Sequence, residues 1–148
     1  DRKTFPSWNW MLKNGATTLW EHWEQEENTY SHNHPMFGSI SAWFFRHLGG
    51  IQIADDAVGA DRLVIRPQPI KGLTWVKSSY PSIRGKIESN WKVTDKGTEF
   101  NIVIPPDTIA EIKLPPGKIT ESEGSNAVDP ATNHLKVGSG RYRFLVTP

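Results

Sequence analysis

Glu21 is the carboxylate whose surroundings most favour chemistry. It lies between Trp20 and Trp23, in a stretch that is otherwise apolar or neutral. A carboxyl group flanked by indoles is partly shielded from water, and such an environment suits proton transfer. The competing interpretation is a solvated glutamate at a helix end, which is the more common fate of a carboxylate. The neighbouring acidic residues belong to that second class: Glu24, Glu26 and Glu27.

The histidines near Glu21 do not form a metal-binding pattern. His32 and His34 flank Asn33, but no third ligand stands at a recognised spacing, so we predict no metal site. A histidine at a helix start donates to a sugar hydroxyl or caps the helix, and both roles remain open for His34. The sequence also lacks a glycine-rich phosphate loop and a nucleophile elbow, and we predict no cofactor. Glycoside hydrolysis needs only two carboxylates and an aromatic sugar pocket, and one such carboxylate is present.

The composition excludes several classes of partner. With 17 basic and 16 acidic residues the net charge is +1, too balanced for a nucleic-acid binder. The chain has no cysteine, which removes disulfides and thiolate metal sites. It opens on Asp1-Arg2-Lys3-Thr4 without an apolar targeting segment, so we expect no membrane partner. Periplasmic, extracellular and cytoplasmic locations are all compatible with this composition.

Two helices are predicted in the first third of the chain. The first opens at Pro6 or Ser7 and closes at Gly15, and residues 24–31 then form a polar loop. The second runs from Asn33 to the glycine pair 49–50. Its apolar residues recur at spacings of three and four, which predicts a buried helix: Met36, Ile40, Trp43, Phe44 and Leu48. Five of the 7 Trp fall in this third, and a packed core is the more common explanation for each ring than a sugar platform.

The rest of the chain predicts an antiparallel β-sandwich of the jelly-roll kind. Residues 51–62 are a connector, and short β-rich runs follow it. Gly97 supplies a hairpin turn, and the proline pairs 105–106 and 115–116 each end a strand. The predicted strands are Leu63–Arg66, Leu73–Tyr80, Arg84–Val93, Glu99–Ile104, Ala110–Leu114, Ile119–Glu121, His134–Val137 and Tyr142–Val146. Two helices with this many Trp need further partners, so the helices resemble part of a larger barrel or bundle.

Two motifs carry a resemblance to a known family. Residues 15–23 (GATTLWEHW) and 33–44 (NHPMFGSISAWF) closely resemble bacterial α-L-rhamnosidases of glycoside hydrolase family 78. The match continues through residues 49–51, 65–68, 79–80, 85–89 and 104–106. The resemblance implies the end of a catalytic (α/α)₆ barrel over residues 1–50 and a C-terminal sandwich over residues 63–148.

The resemblance also implies roles for individual residues. In such inverting enzymes the Glu of the first motif is the general base, which is Glu21 here, and the His of Asn-His-Pro, here His34, lies in the sugar subsite. We place Trp20, Trp23 and Asn33 beside them as substrate-binding candidates, with the two indoles supporting Glu21 more than stacking on sugar. The partner is a rhamnosylated glycan or glycoside. The general acid lies upstream, in a missing N-terminal part of the parent enzyme, so the chain alone is expected to be inactive.

Three questions stay open from the sequence. The sandwich is either a carbohydrate-binding module, using Trp75, Tyr80 and Trp91, or a structural buttress, which we favour because Trp91 and Val93 share one face. A related (α/α)₆ glycosidase acting on another sugar would show a similar pattern. The apolar faces of the truncated barrel are expected to be exposed or to pair with a second copy.

Overall fold

The chain places its helices before its strands. The computed structural model describes residues 2–24, 26, 30–124 and 132–148. They form two compact units, Asp1–Ala42 and Trp43–Pro148. The predicted fold class, helices followed by a β-sandwich, is confirmed. No helix in the described ranges is long and apolar enough to cross a membrane.

The first helix, α1, spans Trp8–Lys13. Ser7 caps it, because its hydroxyl accepts a hydrogen bond from the Trp10 N–H at 3.0 Å and so satisfies an amide that the helix leaves unpaired. Gly15 follows the helix with a φ of +84°, which glycine adopts without strain. The short helix predicted between Ser7 and Gly15 is confirmed.

The second helical stretch is not one buried helix. It consists of a 3₁₀ turn (Met36–Ser39), a short α-helix, α2 (Ile40–Trp43), and a π-helical turn (Phe44–Leu48). Along it Met36 is 57% exposed and Phe44 48%, whereas Leu48 is 8% exposed. The buried helix predicted from the spacing is therefore wrong for most of the stripe, whereas the exposure agrees with that expected for the apolar face of a truncated barrel, because such a face is buried only where a partner surface covers it.

Nine strands in the described residues form two sheets. They are β1 (Ile51–Ile53), β2 (Arg62–Ile65), β3 (Trp75–Ser82), β4 (Gly85–Thr94), β5 (Gly97–Ile104), β6 (Ile109–Lys113), β7 (Lys118–Glu123), β8 (His134–Val137) and β9 (Gly140–Thr147). One sheet has the order β1-β2-β6-β8 and the other the order β3-β4-β5-β9-β7. The β2–β6 pair is parallel, and the other pairs are antiparallel.

Eight of these strands overlap the predicted runs, and β1 is the exception. It lies inside the segment predicted as a connector, and its three residues are too few to show alternation. The predicted turns are confirmed: Gly97 has a φ of +142° between β4 and β5, and each proline pair follows the end of a strand, β5 or β6. Proline ends a strand because it has no N–H to donate to the ladder.

The core lies between the two sheets. Trp91, Phe100 and Phe144 are in register across β4, β5 and β9, and each is at most 2% exposed. They belong to one apolar cluster with residues of the other sheet, among them Leu63 and Ile112. The core interpretation of tryptophan therefore holds for Trp91, and this buried ring cannot serve the carbohydrate-binding face considered above.

The sandwich holds the end of the π-helical turn. The carbonyls of residues 46–48 accept hydrogen bonds from the Gln52 side chain (3.2 Å), the Gln68 backbone N–H (3.0 Å) and the Trp91 indole N–H (2.8 Å). We call these three donors the helix-end clamp. The last carbonyls of a helix have no partner within the helix, and leaving the buried one, that of Leu48, unsatisfied would be costly. The clamp removes that cost.

Two glycines allow the helix end to approach this closely. A Cβ at Gly49 would lie 2.4 Å from Oγ of Ser78, and one at Gly50 would lie 2.1 Å from N of Pro67. Gly50 also has a φ of +73°, in the left-handed region. Any larger residue at either position would push the helix end away from the sheet.

The clamp predicts an unequal response of two tryptophans to the same substitution. Trp91→Phe removes the donor to the Leu48 carbonyl, and we expect the free energy of unfolding to fall by about 1–3 kcal/mol. Trp75→Phe changes a ring that is 59% exposed, and it should change the free energy of unfolding by less than about 0.5 kcal/mol. Urea unfolding followed by circular dichroism measures both, and equal losses would contradict the clamp.

Candidate functional site

Two backbone hydrogen bonds bring the two predicted motifs side by side within the first unit. The His34 N–H donates to the Leu19 carbonyl at 2.8 Å, and the Glu21 N–H donates to the Ser31 carbonyl at 2.9 Å. The Thr18 hydroxyl also donates to the carbonyl of His32. The segments 18–21 and 31–34 therefore lie next to each other, although ten or more residues separate their bonded partners.

The Glu21 carboxylate is held by the same segment. Its Oε2 accepts a hydrogen bond from the Ser31 N–H at 3.0 Å, so Glu21 and Ser31 are joined through both backbone and side chain. The side chain is half-buried. Within the described residues Oε1 has no hydrogen-bond partner. One oxygen thus fixes the orientation of the carboxylate, and the other is available to accept a proton.

The indoles beside Glu21 have different environments. Trp20 is 4% exposed and its ring stacks on that of His32, with centroids 5.1 Å apart. The half-buried Trp23 stacks on Phe37 at 4.1 Å and meets the edge of Trp8 at 5.4 Å. Another aromatic ring thus stacks on one face of each indole. In this arrangement they pack around the Glu21 segment.

His34 has a defined tautomer. Its Nδ1 accepts a hydrogen bond from the Met36 N–H at 3.1 Å, so in the neutral ring the proton lies on Nε2. Nε2 is then a donor, and a sugar hydroxyl is a suitable acceptor. The exposed Asn33 is oriented through its backbone N–H, which donates to the Ser31 hydroxyl at 3.1 Å. Its side-chain amide has no partner among the described residues.

Ser31 is the residue that sequence reasoning missed. It contributes its backbone N–H and carbonyl to Glu21 and its hydroxyl to Asn33. Backbone groups are the same for every residue type, so no sequence signal marks them. Glu24 and Glu26 are exposed, as expected for solvated carboxylates. Residues 25 and 27–29 of the predicted polar loop lie outside the described residues.

Three cavities lie elsewhere in the chain. Cavities of about 790, 420 and 230 Å³ are lined by residues of the second unit, and none of these three includes Glu21 or His34. Within the described ranges, no group of three or more His, Cys, Asp or Glu residues is arranged to hold a metal ion. Glu21 and His34 lie on the neighbouring segments 18–21 and 31–34, with no direct contact between their side chains among the described residues.

Two family models match the chain in succession. Residues 1–48 match the bacterial alpha-L-rhamnosidase 6 hairpin glycosidase domain, and residues 50–129 match the bacterial alpha-L-rhamnosidase C-terminal domain. The helix-end clamp therefore joins the two matches, because its acceptors lie before residue 49 and its donors after residue 50.

The chain is also similar to curated and structurally solved alpha-L-rhamnosidases. The chain is 30% identical to an alpha-L-rhamnosidase of Streptomyces avermitilis over 98% of its length and 29% identical to one of Alteromonas sp. over 97%. It spans 15% and 16% of those two proteins. An alpha-L-rhamnosidase structure from Dictyoglumus thermophilum matches all of the chain at a TM-score of 0.87 and 30% identity, with 18% of that protein covered. The Streptomyces avermitilis enzyme complexed with L-rhamnose matches at 0.80 and 30% identity, over 99% of the chain and 15% of that protein.

The bond between Glu21 and Ser31 predicts a difference between two substitutions. Glu21→Gln keeps an oxygen that accepts from the Ser31 N–H, whereas Glu21→Ala removes the acceptor. We expect the Ser31 amide proton to exchange with solvent at nearly the original rate in the first variant and about tenfold faster in the second. Amide exchange by NMR measures this, and equal rates in both variants would contradict the bond.

Proposed function

Since the chain belongs to the bacterial alpha-L-rhamnosidase family, we propose that the protein it belongs to hydrolyses terminal α-L-rhamnosides with inversion of anomeric configuration. The observation that carries the proposal is the Glu21 carboxylate, fixed through Oε2 and open at Oε1. The chain spans less than a fifth of its relatives, and it contributes one half of the acid–base pair. The similar Streptomyces avermitilis enzyme, solved with L-rhamnose, favours rhamnose over another sugar.

Glu21 acts as the general base in this mechanism. Its free oxygen takes a proton from water while the water oxygen forms a bond to the anomeric carbon of the rhamnose. The bond from that carbon to the leaving oxygen breaks, and a general acid upstream of this chain protonates the leaving group. The two carboxyl groups of an inverting pair stand roughly 6.5–9.5 Å apart, which leaves room for the water. The first product is therefore β-L-rhamnose.

The residues around Glu21 bind the sugar and keep the base in place. The Nε2–H of His34 donates to a rhamnose hydroxyl, and the free amide of Asn33 supplies a second polar contact. Trp20 and Trp23 act mainly as supports, because each packs against another aromatic ring and Trp20 is buried. Packing that locks the rotamer of a catalytic group keeps it close to its productive geometry.

The sandwich acts as a structural buttress for the catalytic part. The helix-end clamp draws its donors from the C-terminal domain match and its acceptors from the glycosidase domain match. In the whole protein we place residues 1–50 at the end of an (α/α)₆ barrel, followed by the sandwich, which begins with β1 inside the segment 51–62 and continues over residues 63–148. The preceding part of that barrel covers the apolar side chains that are exposed here.

Kinetics of the whole protein test the role of Glu21. With a p-nitrophenyl α-L-rhamnoside as substrate, Glu21→Gln is expected to lower kcat by about 10²–10⁴-fold, since the amide cannot accept the proton of the attacking water. Glu24→Gln makes the same change at an exposed neighbour and should leave kcat unchanged. The 148-residue chain alone should be inactive. A Glu21→Gln enzyme as fast as the original would refute the assignment.

Exposed apolar residues along the second helical stretch predict self-association of the isolated chain. Met36, Trp43 and Phe44 are 57%, 41% and 48% exposed. Burying such side chains against a second copy releases about 1.5–3 kcal/mol for each fully covered residue. Sedimentation velocity should show dimers or larger species, and Phe44→Lys should reduce them. The control Val58→Lys changes an apolar residue that is 74% exposed outside this stretch, and it should have no effect. A monomer at every concentration would contradict the prediction.

A further inference from the structure

The outer face of the five-stranded sheet carries a row of polar side chains. The strand register places five residues side by side across β3, β4, β5, β9 and β7: Lys77, Asn90, Asn101, Arg143 and Glu123. Neighbouring strands lie about 4.8 Å apart, so the row is roughly 19 Å long. It consists of two amides between two cations, with a carboxylate at the β7 end. These are the groups that hydrogen-bond to vicinal hydroxyls.

A cavity of about 230 Å³ lies along this row. Its lining includes Asn90 and Asn101 from the row, together with Glu88, Val103 and Arg141. Glu88, Val103 and Arg141 are themselves in register across β4, β5 and β9. Two adjacent rows on one face thus form a shallow groove across three strands.

One side of the groove is held in a fixed arrangement. The Glu88 carboxylate accepts hydrogen bonds from Nζ of Lys86 at 2.7 Å and from Nδ2 of Asn90 at 3.4 Å. Oδ1 of Asn90 accepts from the Ser78 N–H at 3.0 Å. The hydrogen bond from Lys86 is the main reason that the pKa of Glu88 lies below its usual value, with partial burial acting against it and the Arg141 charge adding to it. Glu88 therefore stays ionised and orients Asn90.

The other side of the groove offers free groups. In the described part of the chain the Asn101 side chain has no hydrogen bond and Arg141 has no ion pair, and neither do Lys77 and Lys92, which lie on β3 and β4 of the same face. The ion pairs of Arg143 with Glu99 and Glu123 are long, at 3.8 and 3.7 Å. These cations without an ion pair leave the face with a local excess of positive charge, although the Arg141 charge also acts on Glu88 across the groove. A carboxylate on a ligand would give Arg141 an ion pair, because a guanidinium binds a carboxylate in a bidentate manner.

An exposed indole lies at the edge of the same face. Trp75 is 59% exposed and pairs with Lys92, two residues along each strand from the polar row and therefore on the same face. An indole on a solvent-exposed edge strand presents a flat apolar surface, and the C–H face of a pyranose is complementary to it. Trp75 and the polar row thus combine an apolar contact with hydrogen bonds, as small-molecule sites commonly do.

The helix end leaves this face open. The helix-end clamp uses Trp91, whose ring points into the core from the opposite face of β4. The residues that alternate with Trp91 on β4, such as Asn90 and Lys92, point outward. The outer face is therefore on the side of the sheet away from the clamped helix.

We propose that the outer face of the five-stranded sheet binds a saccharide chain that carries carboxylate groups, with Trp75 stacking on one sugar and Arg141 pairing with a uronate. Asn90 and Asn101 donate to hydroxyls between these two contacts. Only the choice of a rhamnose-containing oligosaccharide as the ligand for the binding test rests on the proposed function. The surface itself is argued from its own residues, and it differs from the binding face considered from the sequence because the buried Trp91 takes no part.

The test is binding of the 148-residue chain to a rhamnogalacturonan oligosaccharide and to its carboxyl-reduced form, by isothermal titration calorimetry. Trp75→Ala and Arg141→Ala should each weaken binding of the acidic form by about tenfold. Carboxyl reduction of the ligand should weaken its binding to the unaltered chain by a similar factor. It should have little further effect on binding to Arg141→Ala, because the reduction and the substitution remove the same contact.

Two matched variants serve as controls. Tyr80→Ala removes an exposed ring from the other face of β3, and Lys136→Ala removes an exposed cation from β8 in the other sheet, so neither should change the affinity. No binding, binding that survives both Trp75→Ala and Arg141→Ala, or equal affinity for the acidic and reduced forms would overturn the inference. Hydrolysis by the whole protein is measured separately, so a failure here leaves the proposed function untouched.

Discussion

The hydrogen bonds that the sandwich gives to the end of the second helical stretch constrain the rest of the structure. A helix that ends inside a protein leaves carbonyls that must find donors elsewhere. Here the donors come from Gln52, Gln68 and Trp91, positions widely separated in sequence that only a folded sandwich brings together. The helix end therefore has this geometry only when the sandwich is folded. Gly49 and Gly50 are required for the same reason, since a side chain at either would occupy the space of the sheet.

Trp91 connects this constraint to the core. Its ring belongs to the buried cluster between the sheets, and its N–H reaches the Leu48 carbonyl. A buried indole N–H needs an acceptor, and a buried carbonyl needs a donor. This one hydrogen bond therefore removes the cost of leaving either group unpaired. The C-terminal domain is thus coupled to the end of the glycosidase domain through its own hydrophobic core. Disturbing the core near Trp91 would disturb the helix end as well.

Much of the fold could be predicted from the sequence, because strands and turns are local features. Alternation in β5 and β9, the glycine at the β4–β5 turn and the proline pairs mark their elements directly. The short β1 carries no such signal. The fate of the tryptophans was not predictable, because Trp20, Trp75 and Trp91 have the same chemistry but are 4%, 59% and 2% exposed. Residue type indicates that a ring has a large apolar area, but it does not indicate whether a partner surface lies within this chain.

The candidate site was predictable in part for a related reason. Glu21 and His34 stand out by residue type and motif, whereas the group that orients Glu21 is a backbone N–H of Ser31. The outer face of the five-stranded sheet was invisible in the sequence, because its polar row draws one residue from each of five strands and exists only once the register is set. Both cases show that long-range pairing, which sequence patterns do not encode, assembles the groups that act together.

The role of Glu21 as the base that activates water is tested most directly by removing the base and replacing water with another nucleophile. In the whole protein, Glu21→Ala removes the base, and azide is a nucleophile that needs no deprotonation. With an aryl α-L-rhamnoside as substrate, azide attacks the anomeric carbon as the phenolate leaves. The account predicts that azide restores turnover and that NMR identifies the product as β-L-rhamnosyl azide. No acceleration by azide, or an α-configured azide, would contradict it.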